Sequence, residues 1–324
     1  MSAIPLIDLS DPGGKHAVAA AIGQTCTDTG FFLVTGHGAD SEAIERGWNA
    51  ARAFFDRPLA EKLAAAMPYP GYPYGYSPVK GETLAASLGD ARPADLKETF
   101  SLGPSAFRRL GHKPADDAEA FVFSANPWPF EGDEFRRAAM GYYQAMSALA
   151  GRIMRLFALA LDLPETYFDR FIDQEASALR LLNYPEVDEP PAEGQLRAGA
   201  HSDYGSLTIL RQEDSPGGLE VKGADGTWIK VPAVPDSFVI NIGDLMQRWT
   251  NDRWKSTLHR VAVPPPHPGR PTRRQSIAFF HQPNWDASIA CIETCLAPGE
   301  QPKYPPIGSG EYLAAKFRST VVKA

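Results

Sequence analysis

Leu179-Arg180-Leu181-Leu182-Asn183 opens the part of the chain whose reading decides the fold. Residues 206–211, 219–221, 228–231, 238–242, 257–263 and 276–281 repeat its character, short runs of Leu, Val, Ile and Phe separated by Pro, Gly and Asp. Runs of this length, bounded by turn formers, predict strands. Ala224-Asp225-Gly226-Thr227 adds a hairpin turn signal between two of them. Short strands in such a series predict an antiparallel jelly roll, a double-stranded β-helix core over residues 178–290.

The preceding sequence has a different pattern. Residues 4–9 alternate as a short strand, broken by Asp11-Pro12-Gly13-Gly14. A helix over 15–27 and a buried strand over 30–34 follow, the strand stopped by Gly36-His37-Gly38. Ser41 suits the N-cap of a helix that carries Ile44, Trp48, Ala51 and Phe55 at helical spacing. Residues 67–129 are rich in Pro, Gly and aromatics, as in Pro68-Tyr69-Pro70-Gly71-Tyr72-Pro73-Tyr74-Gly75-Tyr76, and predict no long regular element. Such a stretch fits either an active-site wall or a plain surface loop. Phe135, Ala139, Tyr142, Met146, Leu149, Ile153, Leu156 and Ala160 recur at steps of three and four, which predicts one long helix over 133–161 packed along a sheet. The fold class is therefore α+β, a jelly-roll core flanked by N-terminal helices and one long central helix. We read residues 1–324 as a single unit, with an N-terminal helical and loop region over 1–130 and a C-terminal extension over 291–324.

Composition narrows the function classes. The chain has 324 residues, long enough for a large core, and its net charge of −7 argues against a nucleic-acid groove. The one short basic group, Arg108, Arg109, His112 and Lys113, reads as a solvated face. No apolar run is long enough to span a bilayer, and the N-terminus lacks the features of a signal peptide. Cys26, Cys291 and Cys295 are sparse and fit reduced thiols. The expectation is a soluble, cytoplasmic protein whose partner is a small molecule rather than nucleic acid or membrane. Oligomeric state is not readable.

The chemistry centres on His201-Ser202-Asp203 and the distant His259. Two imidazoles and one carboxylate are the ligand set of a non-haem Fe(II) oxygenase, with the other positions open for co-substrate and O₂. In an extended strand His201 and Asp203 share a face, and His259 arrives on another strand. Taken alone, H-x-D equally fits a surface turn. Arg274-Gln275-Ser276 is the second group. In a strand, Arg274 and Ser276 share a face, and a guanidinium beside a hydroxyl suits the distal carboxylate of a dicarboxylic 2-oxo acid. A surface ion pair is the alternative. It is weakened because Arg274 leads into the apolar run Ile277-Ala278-Phe279-Phe280.

Taken together these segments resemble the isopenicillin N synthase-like family of Fe(II)/2-oxoglutarate-dependent oxygenases. The resemblance runs in order through Gly30 to Gly38, Leu179-Arg180-Leu181-Leu182-Asn183-Tyr184-Pro185, His201-Ser202-Asp203, Asn241-Ile242-Gly243-Asp244, Trp249-Thr250-Asn251, Lys255 to Val261 and Arg274-Gln275-Ser276. It implies His201, Asp203 and His259 as iron ligands. It also implies Arg274 and Ser276 as the 2-oxoglutarate anchor, the Tyr184 hydroxyl as a further donor and Asn183 as a neighbour in that pocket. The implied reaction oxidises an unactivated C–H bond by hydroxylation, desaturation or cyclisation, releasing succinate and CO₂. The segments 241–244 and 249–251 are read as architectural and His37 as structural. Residues 264–271 form a longer, more proline-rich connection than many relatives have. Arg273 is an alternative anion partner, disfavoured because it would face away from Ser276. Glu98 could meet a cationic substrate or pair structurally. His281, the residues around Tyr69 to Tyr76, Leu96 to Phe100 and Phe280 to Gln282 are candidates for the cavity wall. Competing readings are a same-fold iron oxidase that does not use 2-oxoglutarate, a zinc hydrolase and a non-catalytic binding module. The last two leave Arg274 or the full ligand set unexplained.

Overall fold

Local sequence signals produce the elements in this order: β1 (Leu6–Asp8), α1 (Lys15–Asp28), β2 (Phe31–Thr35), α2 (Ser41–Phe55), α3 (Leu59–Leu63), β3 (Gly75–Ser77), β4 (Glu98–Leu102), α4 (Asp117–Val122), α5 (Asp133–Ala160) and α6 (Asp169–Ile172). The strand-rich part continues with β5 (Ala178–Tyr184), β6 (Ala198–His201), β7 (Leu207–Gln212), β8 (Gly218–Lys222), β9 (Trp228–Lys230), β10 (Phe238–Ile242), α7 (Asp244–Trp249), β11 (His259–Ala262), β12 (Arg274–His281), β13 (Ser288–Ile289), β14 (Ile307–Gly308) and α8 (Ser309–Val321). The computed structural model describes residues 4–84, 93–104, 113–129, 133–186, 191–264 and 271–321, apart from the side chains of Asp133 and of residues 318–321. Arg108, Arg109, His112 and most of the proline-rich connection, with His267, lie outside the described residues.

Two sheets form the core. The large one has eight strands in the order β1-β2-β10-β7-β12-β5-β4-β3, and the small one has four, β6-β11-β8-β9. Pairing within both is antiparallel except between β1 and β2. Residues of both sheets line one cavity between them, the arrangement of a jelly roll. Strand alternation divides each strand of the large sheet between two environments. In β2, Phe32 and Val34 join the helices' core, while Phe31 and Leu33 pack with Leu219 and Val221 of the small sheet. In β12, Ile277 and Phe279 face the helices, while Arg274, Ser276, Ala278 and Phe280 face the cavity.

The long helix α5 closes the far side. Its Met146, Leu149 and Ile153 are fully buried, and Tyr143 meets Phe279 of β12 edge-on with ring centroids 5.0 Å apart. It ends where Asp162 turns left-handed, φ 57°, ahead of Pro164. One local expectation needs correction. Asp40, not Ser41, caps α2, its carboxylate accepting from the Ala43 amide at 2.9 Å. Among its described residues the aromatic stretch 67–129 holds no long regular element, as expected, only β3, β4 and α4, each too short to show a period. The C-terminal extension, for which no element was predicted, contains α8.

Gly30 sits where α1 turns into β2 with φ +68°, and a Cβ there would lie 1.9 Å from the Lys255 carbonyl on the approach to β11. Gly30→Ala should therefore lower unfolding free energy by about 2 kcal/mol or more, combining backbone strain with overpacking; urea denaturation followed by circular dichroism measures it.

Candidate metal centre

β6 and β11 are neighbours in the small sheet, with His259 directly opposite His201. This register sets the two imidazole rings 4.3 Å apart. Asp203 arrives differently from the expectation of a shared strand. β6 ends at His201, and Asp203 lies in the following loop. That loop is fastened to the start of α7: the amides of Asp244 and Leu245 donate to the carbonyls of Asp203 and Tyr204 at 2.7 and 3.2 Å. The geometry brings His201, Asp203 and His259 together, one potential ligand atom from each lying within 4.8 Å of the others.

Hydrogen bonds aim all three. The Thr208 hydroxyl and the Asn241 amide donate to Asp203 Oδ2 at 2.6 and 2.7 Å. Oδ1 is left facing the two rings, 4.0 Å from His201 Nε2 and 3.8 Å from His259 Nε2. On the rings, Nδ1 of His201 donates to the Gly199 carbonyl at 2.8 Å and Nδ1 of His259 to the Thr257 carbonyl at 3.2 Å. A carbonyl can only accept, so each Nδ1 carries a proton, and Nε2 is the nitrogen of each ring that faces Asp203. Burial, and then the neighbouring His259, push the His201 imidazole down to about 3 and keep it neutral. Burial pushes the Asp203 carboxyl up, but the two histidines with Thr208 and Asn241 outweigh it and hold the group below the usual carboxylate range. Two imidazoles and one carboxylate are the donor set that suits Fe(II). His201, Asp203 and His259 would hold such an ion through the atoms that face one another here, Asp203 Oδ1 and the two Nε2 atoms.

The triad shares its cavity, of about 190 Å³, with Arg274, Ser276 and Tyr184. Arg274 is 1% exposed. Its guanidinium donates to Gln212 Oε1 at 2.8 Å, lies 3.5 Å from Ser276 Oγ and sits 5.1 Å from the Tyr184 ring centroid. All these partners are neutral, and among the described residues no carboxylate forms an ion pair with it. A buried cation facing a cavity without a counter-ion asks for an anion.

Alternation sends several other expected residues elsewhere. Asn183 follows Leu182 in β5 and so faces the helix side, bonded to Glu98 at 2.8 Å and to Arg273 at 2.9 Å; it does not line the pocket as expected. Glu98 shares that side, with Lys62 at 2.7 Å and Tyr76 at 2.5 Å, and is structural rather than a substrate contact. Arg273 turns outward to Asp56 at 2.6 Å. His281 is 1% exposed and also faces away from the cavity, against its expected place on the wall. Pro73, Tyr74, Lys97, Phe280 and Gln282 do line it. His37 accepts from the Ala39 amide at 3.1 Å and packs on Phe238.

Sequence reasoning missed four contributors. Asn241 and Thr208 orient Asp203. Gln212 holds Arg274. Asp244 is a junction: its Oδ1 accepts from Ser256 at 2.7 Å, and its Oδ2 from Lys316 and Tyr312 of α8 at 2.7 and 3.3 Å. Leu313 and Phe317 of the same helix complete the cavity wall. Only Asn241 and Asp244 stood in a recognised motif, and their partners come from remote segments, the loop after β6, the approach to β11 and the helix α8.

Comparison with known proteins agrees with this geometry. The model of the 2OG-Fe(II) oxygenase superfamily matches residues 176–283, and that of the non-haem dioxygenase in morphine synthesis N-terminal region matches residues 4–131. The chain is 33% identical to the 2-oxoglutarate-Fe(II) type oxidoreductase hxnY of Emericella nidulans, over 100% of this chain and 92% of that protein. A Neurospora crassa protein crystallised with alpha-KG and thymine superposes with a TM-score of 0.81 at 34% identity, covering 98% of this chain and 97% of that one. A 2OG-Fe(II) oxygenase family protein from Caulobacter crescentus gives a TM-score of 0.82 at 31% identity, covering 98% and 99%. The chain belongs to the 2OG-Fe(II) oxygenase superfamily. It is an Fe(II)- and 2-oxoglutarate-dependent dioxygenase.

Removing a donor from Asp203 Oδ2 frees the carboxylate to rotate. Asn241→Ala should weaken Fe(II) binding by about 10- to 100-fold, the usual cost of losing such a support. An anaerobic titration followed by tryptophan fluorescence checks this.

Proposed function

We propose that His201, Asp203 and His259 hold the ferrous ion, and that Arg274, Ser276 and Tyr184 hold the distal carboxylate of 2-oxoglutarate. The observation that carries this reading is the single cavity with the three donors at one place and the buried, carboxylate-free Arg274 at another. When bound, the metal and 2-oxoglutarate supply the oxidation of an unactivated C–H bond by O₂, coupled to formation of succinate and CO₂. The chain contributes orientation and dryness. Asp203 brings one negative charge to the ion. Arg274 supplies the positive charge that fixes the co-substrate's far end. Leu182, Leu210, Val261 and Ala278 line the cavity with apolar surface that excludes water.

The substrate is a small molecule, oxidised at carbon, bounded by Tyr74, Tyr204, Phe280 and the α8 residues Leu313 and Phe317. Arg180 is one polar group on this wall, with Lys97 and Gln282, and its guanidinium donates to Ser101 at 3.0 Å and to Glu82 at 3.3 Å. The Neurospora crassa relative was crystallised with thymine and with 5-formyluracil. Small polar rings are therefore our starting class. Nucleic acid and membrane are not partners in this reading: the net charge is −7, and among the described residues no helix is long and apolar enough to cross a bilayer. A cytoplasmic location belongs to the same reading, supported by three free cysteines.

Arg274→Ala should raise the KM for 2-oxoglutarate about 10- to 100-fold, as expected for losing a charge-assisted hydrogen bond of about 1.5–3 kcal/mol. His201→Ala and Asp203→Ala should abolish turnover. CO₂ release from 1-labelled 2-oxoglutarate measures both, with pyrimidine bases and related small rings screened as stimulants. Turnover that survives His201→Ala would remove the ligand assignment.

A further inference from the structure

Three polar groups are stacked behind the metal loop on the side away from the cavity. His281 ends β12, and its odd place in that strand turns it toward the helices. Its Nδ1 lies 2.5 Å from Ser206 Oγ and its Nε2 lies 3.2 Å from Glu175 Oε2. Glu175 also accepts from the Ser177 hydroxyl at 2.6 Å, and the Ser177 carbonyl accepts from Tyr143 of α5 at 3.1 Å. The chain of contacts thus runs from Ser206 to the most deeply packed helix. A serine, a histidine and a glutamate in this order could form a nucleophile relay. Ser206 is 0% exposed, however, so no substrate reaches it, and a holding role remains.

What it holds is the segment that carries Asp203. The Ser206 amide and hydroxyl donate to the His281 carbonyl at 3.0 and 3.1 Å. On its other side, the Ser206 carbonyl accepts from the Gly243 amide at 3.1 Å. Next to it, Gly205 lies so close that a Cβ would be 2.2 Å from the His281 carbonyl. Thr208 and Asn241 fix the rotation of the Asp203 carboxylate, but nothing in those bonds fixes the height of its backbone over the two imidazoles. We infer that His281 is a positioning residue: through Ser206 it clamps the loop so that Asp203 stands at the right distance from His201 and His259. This inference rests on the reading of Asp203 as a metal ligand.

The test is Co(II) binding to the full-length metal-free protein, followed by the visible absorption of the bound ion, with thermal melts of each variant alongside. Ser206→Ala removes only the hydroxyl, and His281→Leu removes the ring's polar edge. Each should weaken Co(II) binding about tenfold, the scale for supports behind metal ligands. The double variant should lose no more than the worse single one, because both act through one contact. His281→Asn keeps a polar atom near the Nδ1 position and should stay within about threefold of wild type. Wild-type affinity in Ser206→Ala overturns the clamp, as does equal loss in the Asn and Leu variants, which would assign the effect to packing alone. If His281→Leu does not fold, Ser206→Ala and His281→Asn decide the matter. Asp203→Ala is the separate control. Unchanged Co(II) affinity there would strike the ligand assignment, not the clamp.

Discussion

The carboxylate of Asp203 is 6% exposed, and an ionised group so deep must be matched by its surroundings. Hydrogen bonds reach one of its two oxygens. That oxygen takes two neutral donors, from β7 and β10, and the other is turned toward the two imidazoles. Each hydrogen bond to the charged oxygen is worth about 1.5–3 kcal/mol, against a desolvation cost of several kcal/mol for the ion. These bonds, with the two facing histidines, outweigh that cost, and a cation held by the rings and Oδ1 would add to the match. β6, β7, β10, β11 and the start of α7 all meet at this one group, so the site depends on the closure of the whole jelly roll.

The same parity rule explains what was legible in the sequence and what was not. It placed Arg274 and Ser276 on one face, and in the structure both face the cavity. Applied to β5 and β12 throughout, it would also have excluded Asn183 and His281, since each is an odd neighbour of cavity-facing residues. The periodic elements, α5 and most strands of the core, were visible because burial on one side repeats along them. Asp203 was harder to place, because β6 stops two residues early and the loop beyond is shaped by amides of α7, a contact that no local pattern encodes. The Thr208 and Gln212 roles were illegible for the same reason: each depends on which strands become neighbours. The strands β3 and β4 are three and five residues long, too short to show a period against the surrounding prolines and tyrosines.

The cavity separates two tasks by their structural origin. At the metal end the two histidines come from paired strands and are fixed by backbone register, and Asp203 comes from the loop that follows β6. The opposite wall comes from Pro73, Tyr74 and the helix α8, which packs on Tyr204 and Trp285 and carries an ion pair between Lys316 and Asp244. Asp244 belongs to both regions, since its amide holds the Asp203 carbonyl and its carboxylate holds α8. The two ends are thus built from different material and meet at Asp244 and at Tyr204, whose ring packs with Leu313 and Phe317.

The direct opposition of His201 and His259 across β6 and β11 has a consequence for how the chain assembles. Side chains alternate between faces, so a slip of one position between these strands would carry one imidazole to the far side of the small sheet. A misaligned pairing would then offer a dication only half of its nitrogen donors. Because binding stabilises only the form that binds, the ion selects the correctly aligned pairing by mass action. On the proposed ligand assignment, the bound ion would therefore act on assembly as well as on turnover, favouring the aligned pair of strands.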